Sequence, residues 1–204
     1  MDLTIEETIK AACTASEYRQ AAALSIESYG PEILGFLAAF TRAQSDADDI
    51  FSYFLEDFWR GLPRFDWRCS LRSWAYTLAR HAALRFSTRS GRRRRRQVPL
   101  SEMPALAEAA DKVRTSTLRY LRTAVKSRMR ELREQLPEQE QMLLVLRIDR
   151  GLSWREIAQI MADDPLSPDS DDLERTTSAL RKQLERTKNK LRKLAIENGL
   201  LQVD

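Results

Sequence analysis

The 204-residue chain is 43% hydrophobic and 31% charged, with a formal charge of +4, 6 glycines, 2 cysteines and 1 histidine. This balance excludes wholesale disorder, and no run of about 18 apolar residues offers a membrane span. The lone histidine, with Cys13 and Cys69 far apart and outside any metal spacing, leaves no metal site, no nucleophile–base pair and no phosphate-binding glycine loop, so neither an enzyme nor a cofactor is expected.

The periodicity is helical almost throughout and β-branched alternation is absent, so the expected fold class is all-α. Residues 4–27 read as one or two helices. Tyr29-Gly30-Pro31 is expected to break the chain, with Pro31 suited to a first helical turn. Ile33, Leu34, Leu37, Ala38 and Phe40 then form a stripe. Ser45 or Asp46 caps the next helix, which stops at Gly61-Leu62-Pro63. A loop from Arg64 to Cys69 precedes a helix from Ser70 to about Phe86, with Leu71, Trp74, Ala75, Leu78 and Ala82 at spacings of three and four. Ser87 to about Pro104 reads as a linker carrying the run Arg92–Arg96. A second helical unit starts near Ala105, with a stripe of Leu118, Leu121, Val125, Leu132 and Leu136. Pro137 opens a helix through Met142, Leu143, Leu146 and Ile148, and Gly151 ends it. Ser153 to Glu156 is a capping box for a short helix with Ile157, Ala158, Ile160 and Met161. Residues 163–176, acidic and carrying Pro165 and Pro168, read as a loop. The last helix starts at about Asp172 or Thr176 and runs to Ile196. Its stripe is Leu180, Leu184, Thr187, Leu191 and Leu194, and Asn198-Gly199 ends it.

The charge is blocked rather than interspersed. Residues 1–60 carry a net −7, 61–100 a net +10, 101–136 a net +3, 137–176 a net −6 and 177–204 a net +4. Two basic zones between acidic ones imply two contacts with a polyanion and acidic faces for another partner. The short capped helix, a loop and a longer basic helix make a helix-turn-helix pattern. Arg181, Lys182, Arg186, Lys188, Lys190, Arg192 and Lys193 lie off the leucine stripe of that last helix. A cytoplasmic location is expected, because MDLTIEETIK is acidic and lacks the segments of a signal peptide.

Several motifs, in order, resemble those of sigma-70 factors of the extracytoplasmic-function (ECF) group. Tyr29-Gly-Pro-Glu32, Asp46-Ala-Asp-Asp-Ile50, Arg64-Phe-Asp66, Leu71-Arg-Ser-Trp74 and Thr77-Leu-Ala-Arg80 are similar to sigma region 2. Leu136 to Arg147 and Gly151 to Ile160 are similar to region 4. The resemblance implies two helical domains on a flexible basic linker. By it, 29–90 would be region 2, 91–112 the linker and 113–204 region 4, with an acidic insert at 162–176; residues 1–28, outside the resemblance, are expected to form an N-terminal helical extension. It implies an alternative sigma factor that binds core RNA polymerase, directs promoter recognition, melts the −10 element and starts transcription.

The resemblance also assigns roles. Asp46, Asp48 and Asp49, with Ser52, Tyr53, Asp57 and Trp59, would meet core polymerase through its β′ and β subunits. Arg64, Trp67, Arg68, Arg72, Arg80, His81 and Arg85 would contact the −10 element, with Trp67 in the loop that takes a flipped base. Thr177, Ser178, Arg181, Lys182, Glu185, Arg186 and Lys188 would meet the −35 element. An anti-sigma protein commonly restrains such factors. The chain departs from the pattern at Ser52-Tyr-Phe-Leu55, where polar docking residues are usual, and at Asp57, which is often basic. A kinase acting on Ser52 or Tyr53 would restore negative charge there. The alternative is a two-domain helix-turn-helix DNA-binding regulator that acts without stable polymerase association.

Overall fold

The computed structural model describes residues 2–41, 44–88, 104–123, 128–162 and 170–201, and every regular element among them is helical. The fold is all-α. The chain divides into two compact units, Met1–Thr123 and Ala124–Asp204.

The first unit is built around α2 (Tyr18–Phe40), packed against α1 (Asp2–Thr14), α3 (Gln44–Gly61), α4 (Leu71–Thr88) and α5 (Pro104–Thr123). A helix with neighbours on several sides must be apolar nearly all round. Accordingly Ala21, Ala22, Ile26, Tyr29, Ile33, Leu34, Phe36 and Leu37 are all buried. The expected break at Tyr29-Gly30-Pro31 does not occur, since α2 runs through Pro31. Proline removes one N–H and frees the carbonyl of Glu27. Pro31 and Glu27 are both exposed, so water can satisfy that carbonyl while the buried residues on either side stay in phase. Gly30 serves α5 instead. A Cβ there would lie 2.9 Å from Cγ2 of Val113, so glycine allows α5 to approach closely.

The chain divides later than the motifs suggested. The linker was expected at 91–112 and the second unit from 113, but Pro104–Thr123 is a helix of the first unit. Its buried side is Leu106, Ala109, Ala110, Val113 and Thr117. Leu118 and Leu121 of the expected stripe thus stand on a helix of the first unit, while Leu132 and Leu136 are buried in the second. Arg92–Arg96 lie outside the described residues.

The second unit holds α6 (Arg128–Arg133), α7 (Glu138–Leu144), α8 (Trp154–Met161) and α9 (Ser170–Glu197). Pro137 precedes α7, which passes into a wider turn at Val145–Asp149. Met142 to Leu146 are buried, whereas Ile148 is exposed, because the wider turn shifts it off the buried face. The capping box forms as expected. The Ser153 amide donates to Glu156 Oε2 (2.8 Å) and the Glu156 amide to Ser153 Oγ (3.3 Å). The expected loop over 163–176 is shorter, because α9 already begins at Ser170. Asp171, Asp172 and Glu174 fall in its first turns, where carboxylates complement the helix dipole. The far end closes with Gly199 N–H on the Ile196 carbonyl (2.9 Å) and Leu200 N–H on that of Ala195 (2.8 Å).

Candidate nucleic-acid interface

In the first unit a ladder of rings leads from the core to the loop between α3 and α4. Phe51, Phe54, Phe58, Trp74, Phe65 and Trp67 follow one another with centroids 5.6, 5.7, 5.1, 4.7 and 4.9 Å apart. The spacing is that of favourable ring pairs. Trp67 ends the ladder half-buried and in the left-handed backbone region, with φ 60°. A tryptophan is costly in that region, so the packing behind it must hold the conformation. Arg64 and Arg68 flank it, both exposed, and Arg68 pairs with Asp66. That guanidinium keeps the Asp66 carboxyl below its ordinary range.

The loop brings Arg64, Trp67 and Arg68 together, whereas α4 disperses the other expected −10 contacts. Arg72 makes a two-pronged ion pair with Glu32 of α2 (2.8 and 2.7 Å). Arg80 is buried, His81 half-buried, and exposed Arg85 pairs with Asp57 of α3. The three do not form one exposed basic face. The loop also has neighbours the motifs did not indicate. The Lys10 ammonium of α1 sits over the Trp67 ring at 5.5 Å. The Arg72 amide, in the first turn of α4, donates to Glu6 Oε1 (3.2 Å). Burial, then the Asp66 and Glu6 carboxylates, push the Cys69 thiol up to about 11. Burial also raises the Cys13 thiol.

The acidic side of α3 is partly occupied. Arg114 of α5 donates to Ser52 Oγ (2.9 Å), places Nε 3.8 Å from Asp48 Oδ1 and lies 5.7 Å over the Phe51 ring. Ser52 in turn donates to the Asp48 carbonyl (3.0 Å). Asp48 Oδ1 is buried without a hydrogen bond. Burial raises the Asp48 carboxyl above its ordinary value, Arg114 pulls it down and Asp49 pushes it up. Asp49 is exposed, while Asp46, Tyr53 and Trp59 are half-buried. Trp59 lines a shallow cleft with Tyr18, Arg19 and Pro63, at the junction of α1, α2 and the end of α3.

In the second unit α9 displays Ser178, Arg181, Lys182, Glu185, Arg186 and Lys188 to solvent, with Thr177 half-buried. Ser178, Lys182 and Arg186 share one side with Glu174 and Arg175. Lys188 pairs with Glu185 (2.9 Å). Arg181 faces elsewhere, with its guanidinium 5.6 Å over the Trp154 indole of α8. Arg147 lies over the same indole at 5.0 Å and donates to the Leu152 carbonyl (2.7 Å). Glu6, Lys10, Arg114, Arg147 and Trp154 are absent from the residues expected from sequence. The capping box signalled Trp154 as a first helical residue. Nothing local signalled the other four.

Among the described residues no group of His, Cys, Asp or Glu is arranged to hold a metal ion. No helix there is long and apolar enough to cross a membrane. A search of curated proteins finds no match. Residues 25–94, about a third of the chain, match the family model described as sigma-70 region 2. Most of α2, all of α3 and α4 and the tryptophan loop are thus similar to the promoter-binding part of sigma-70 factors, which supports kinship with that non-catalytic family of transcription initiation factors.

Proposed function

We propose that this chain is an ECF-type sigma factor that binds core RNA polymerase and carries it to particular promoters. The observation that carries the reading is the α3–α4 loop inside the sigma-70-like segment. There Trp67 is held in the left-handed region between Arg64 and Arg68. Melting a promoter requires a base to leave the stack for an aromatic and cationic site, and this loop offers both chemistries. Asp46, Asp49 and Tyr53 would take part in docking on the β′ and β subunits. The basic side of α9 would enter the major groove at the −35 element. The cytoplasm is the place of such work, and an anti-sigma protein is the natural restraint. A kinase acting on Ser52 would put phosphate against the Arg114 guanidinium of the same unit, so its first effect would be internal.

Run-off transcription with core polymerase and genomic DNA tests the proposal. Discrete transcripts that require the added chain are expected. Their absence, with a control sigma factor active on the same core, overturns it. One observation favours the other reading, a DNA-binding regulator that acts without polymerase. Arg114 already engages Asp48 and Ser52, two residues assigned to docking. Retention of the chain on immobilised core polymerase separates the two.

A further inference from the structure

We propose that Trp154 is a positioning residue that pre-orders Arg181 for reading a guanine edge in duplex DNA. The inference rests on the −35 reading of α9 and adds the residue that makes one of its contacts specific.

An exposed arginine is long and flexible, and it must be immobilised to read a base. Arg181 is exposed, three turns into α9, yet its guanidinium is already placed over an aromatic ring. That ring is itself fixed. Trp154 is the first residue of α8, directly after the Ser153 cap, and is half-buried. Arg147 covers the same indole while its other interaction ties it to the Leu152 carbonyl in the turn before α8. The stack therefore links the turn, the first residue of α8 and Arg181 of α9. Among the described residues no carboxylate meets the Arg181 N–H donors. Glu185, one turn on, pairs with Lys188, and among the described residues Arg181 forms no ion pair. A planar fork of donors, ordered by stacking and not neutralised, suits two-pronged recognition of guanine O6 and N7. Ser178, Lys182 and Arg186 occupy a different side of α9 and carry no such support, which suits phosphate contact.

The test is selection from a random duplex library by the chain bound to core polymerase, repeated with Arg181→Ala, Trp154→Ala and Trp154→Phe. Arg181→Ala should abolish preference at one base pair of the wild-type motif. Trp154→Ala should weaken that same preference about three- to fivefold, the size expected for one exposed cation–ring contact. The other positions and the salt slope should stay unchanged. Trp154→Phe should fall between, because phenylalanine attracts a cation less than indole does. It also keeps an aromatic body on α8 should the alanine variant fail to fold. In parallel, the Arg181 Nε–H signal should become more mobile in both Trp154 variants. An unchanged motif with Trp154→Ala or Trp154→Phe overturns the inference and leaves the −35 reading standing. A loss spread evenly over all positions also overturns it, assigning the stack to phosphate binding. If the wild-type holoenzyme selects no upstream motif, the −35 reading falls and the inference with it.

Discussion

At the scale of single residues, two features carry measurable energies. Ser16 adopts φ 61° where α1 ends, with its N–H on the Cys13 carbonyl and the Glu17 N–H on that of Ala12. This closing motif is usually built on glycine. Ser16→Gly should therefore stabilise the protein by about 0.5–1 kcal/mol, relief of strain outweighing the looser unfolded chain. Urea midpoints would show it. Asp48 is the second case. Its raised carboxyl means that the native state holds that proton more tightly than the unfolded state. Its contribution to stability is present at low pH and is lost as pH rises through the folded value. Asp48→Asn should match wild type below the ordinary carboxylate range and be the more stable protein at pH 7. Equal midpoints at both pH values would contradict this. Asp48 was legible in the sequence because three acids cluster in one motif. Its partner was not, because Arg114 stands 62 residues beyond Ser52 and nothing local ties the two together.

At the scale of elements, the helices themselves were legible and their partners much less so. The ends of α3 and α8 follow from Gly61-Leu62-Pro63 and the Ser153 capping box, which act through the next few atoms of backbone. The continuity of α2 did not, because Gly30-Pro31 is read as a turn by local rules and overruled by burial on both sides. A substitution at Gly30 exposes the competing terms. Alanine there gains about 1 kcal/mol of helix propensity but meets Val113, at a cost of about 1–3 kcal/mol. Gly30→Ala should destabilise the wild type and stabilise a Val113→Ala background, a sign reversal readable in a double-mutant cycle. The same sign in both would mean that α5 does not approach α2 so closely. The candidate site divides in the same way. Arg64, Trp67 and Arg68 are adjacent in the chain and were found by motif. Arg72, Arg80 and Arg85 lie on the helix that follows, but packing sends them to Glu32, to the core and to Asp57.

At the scale of the whole molecule, the placing of α5 changes which stretch joins the two units. Residues 89–103 leave α4 and return into α5, and both helices belong to the first unit. Insertion of a site-specific protease sequence after Arg96 tests this directly. After cleavage the two pieces should still elute as one particle, held by the packing of α5 on α2, and should separate only in denaturant. Separation under native conditions would return the arginine run to the role of a tether. A segment anchored at both ends on one body cannot lend its reach to spacing two bodies apart. By chain connectivity its arginines, part of the net +10 of residues 61–100, stay with the first unit wherever the second unit goes. Salt sensitivity of binding at the first unit should persist when the second unit is not engaged with DNA.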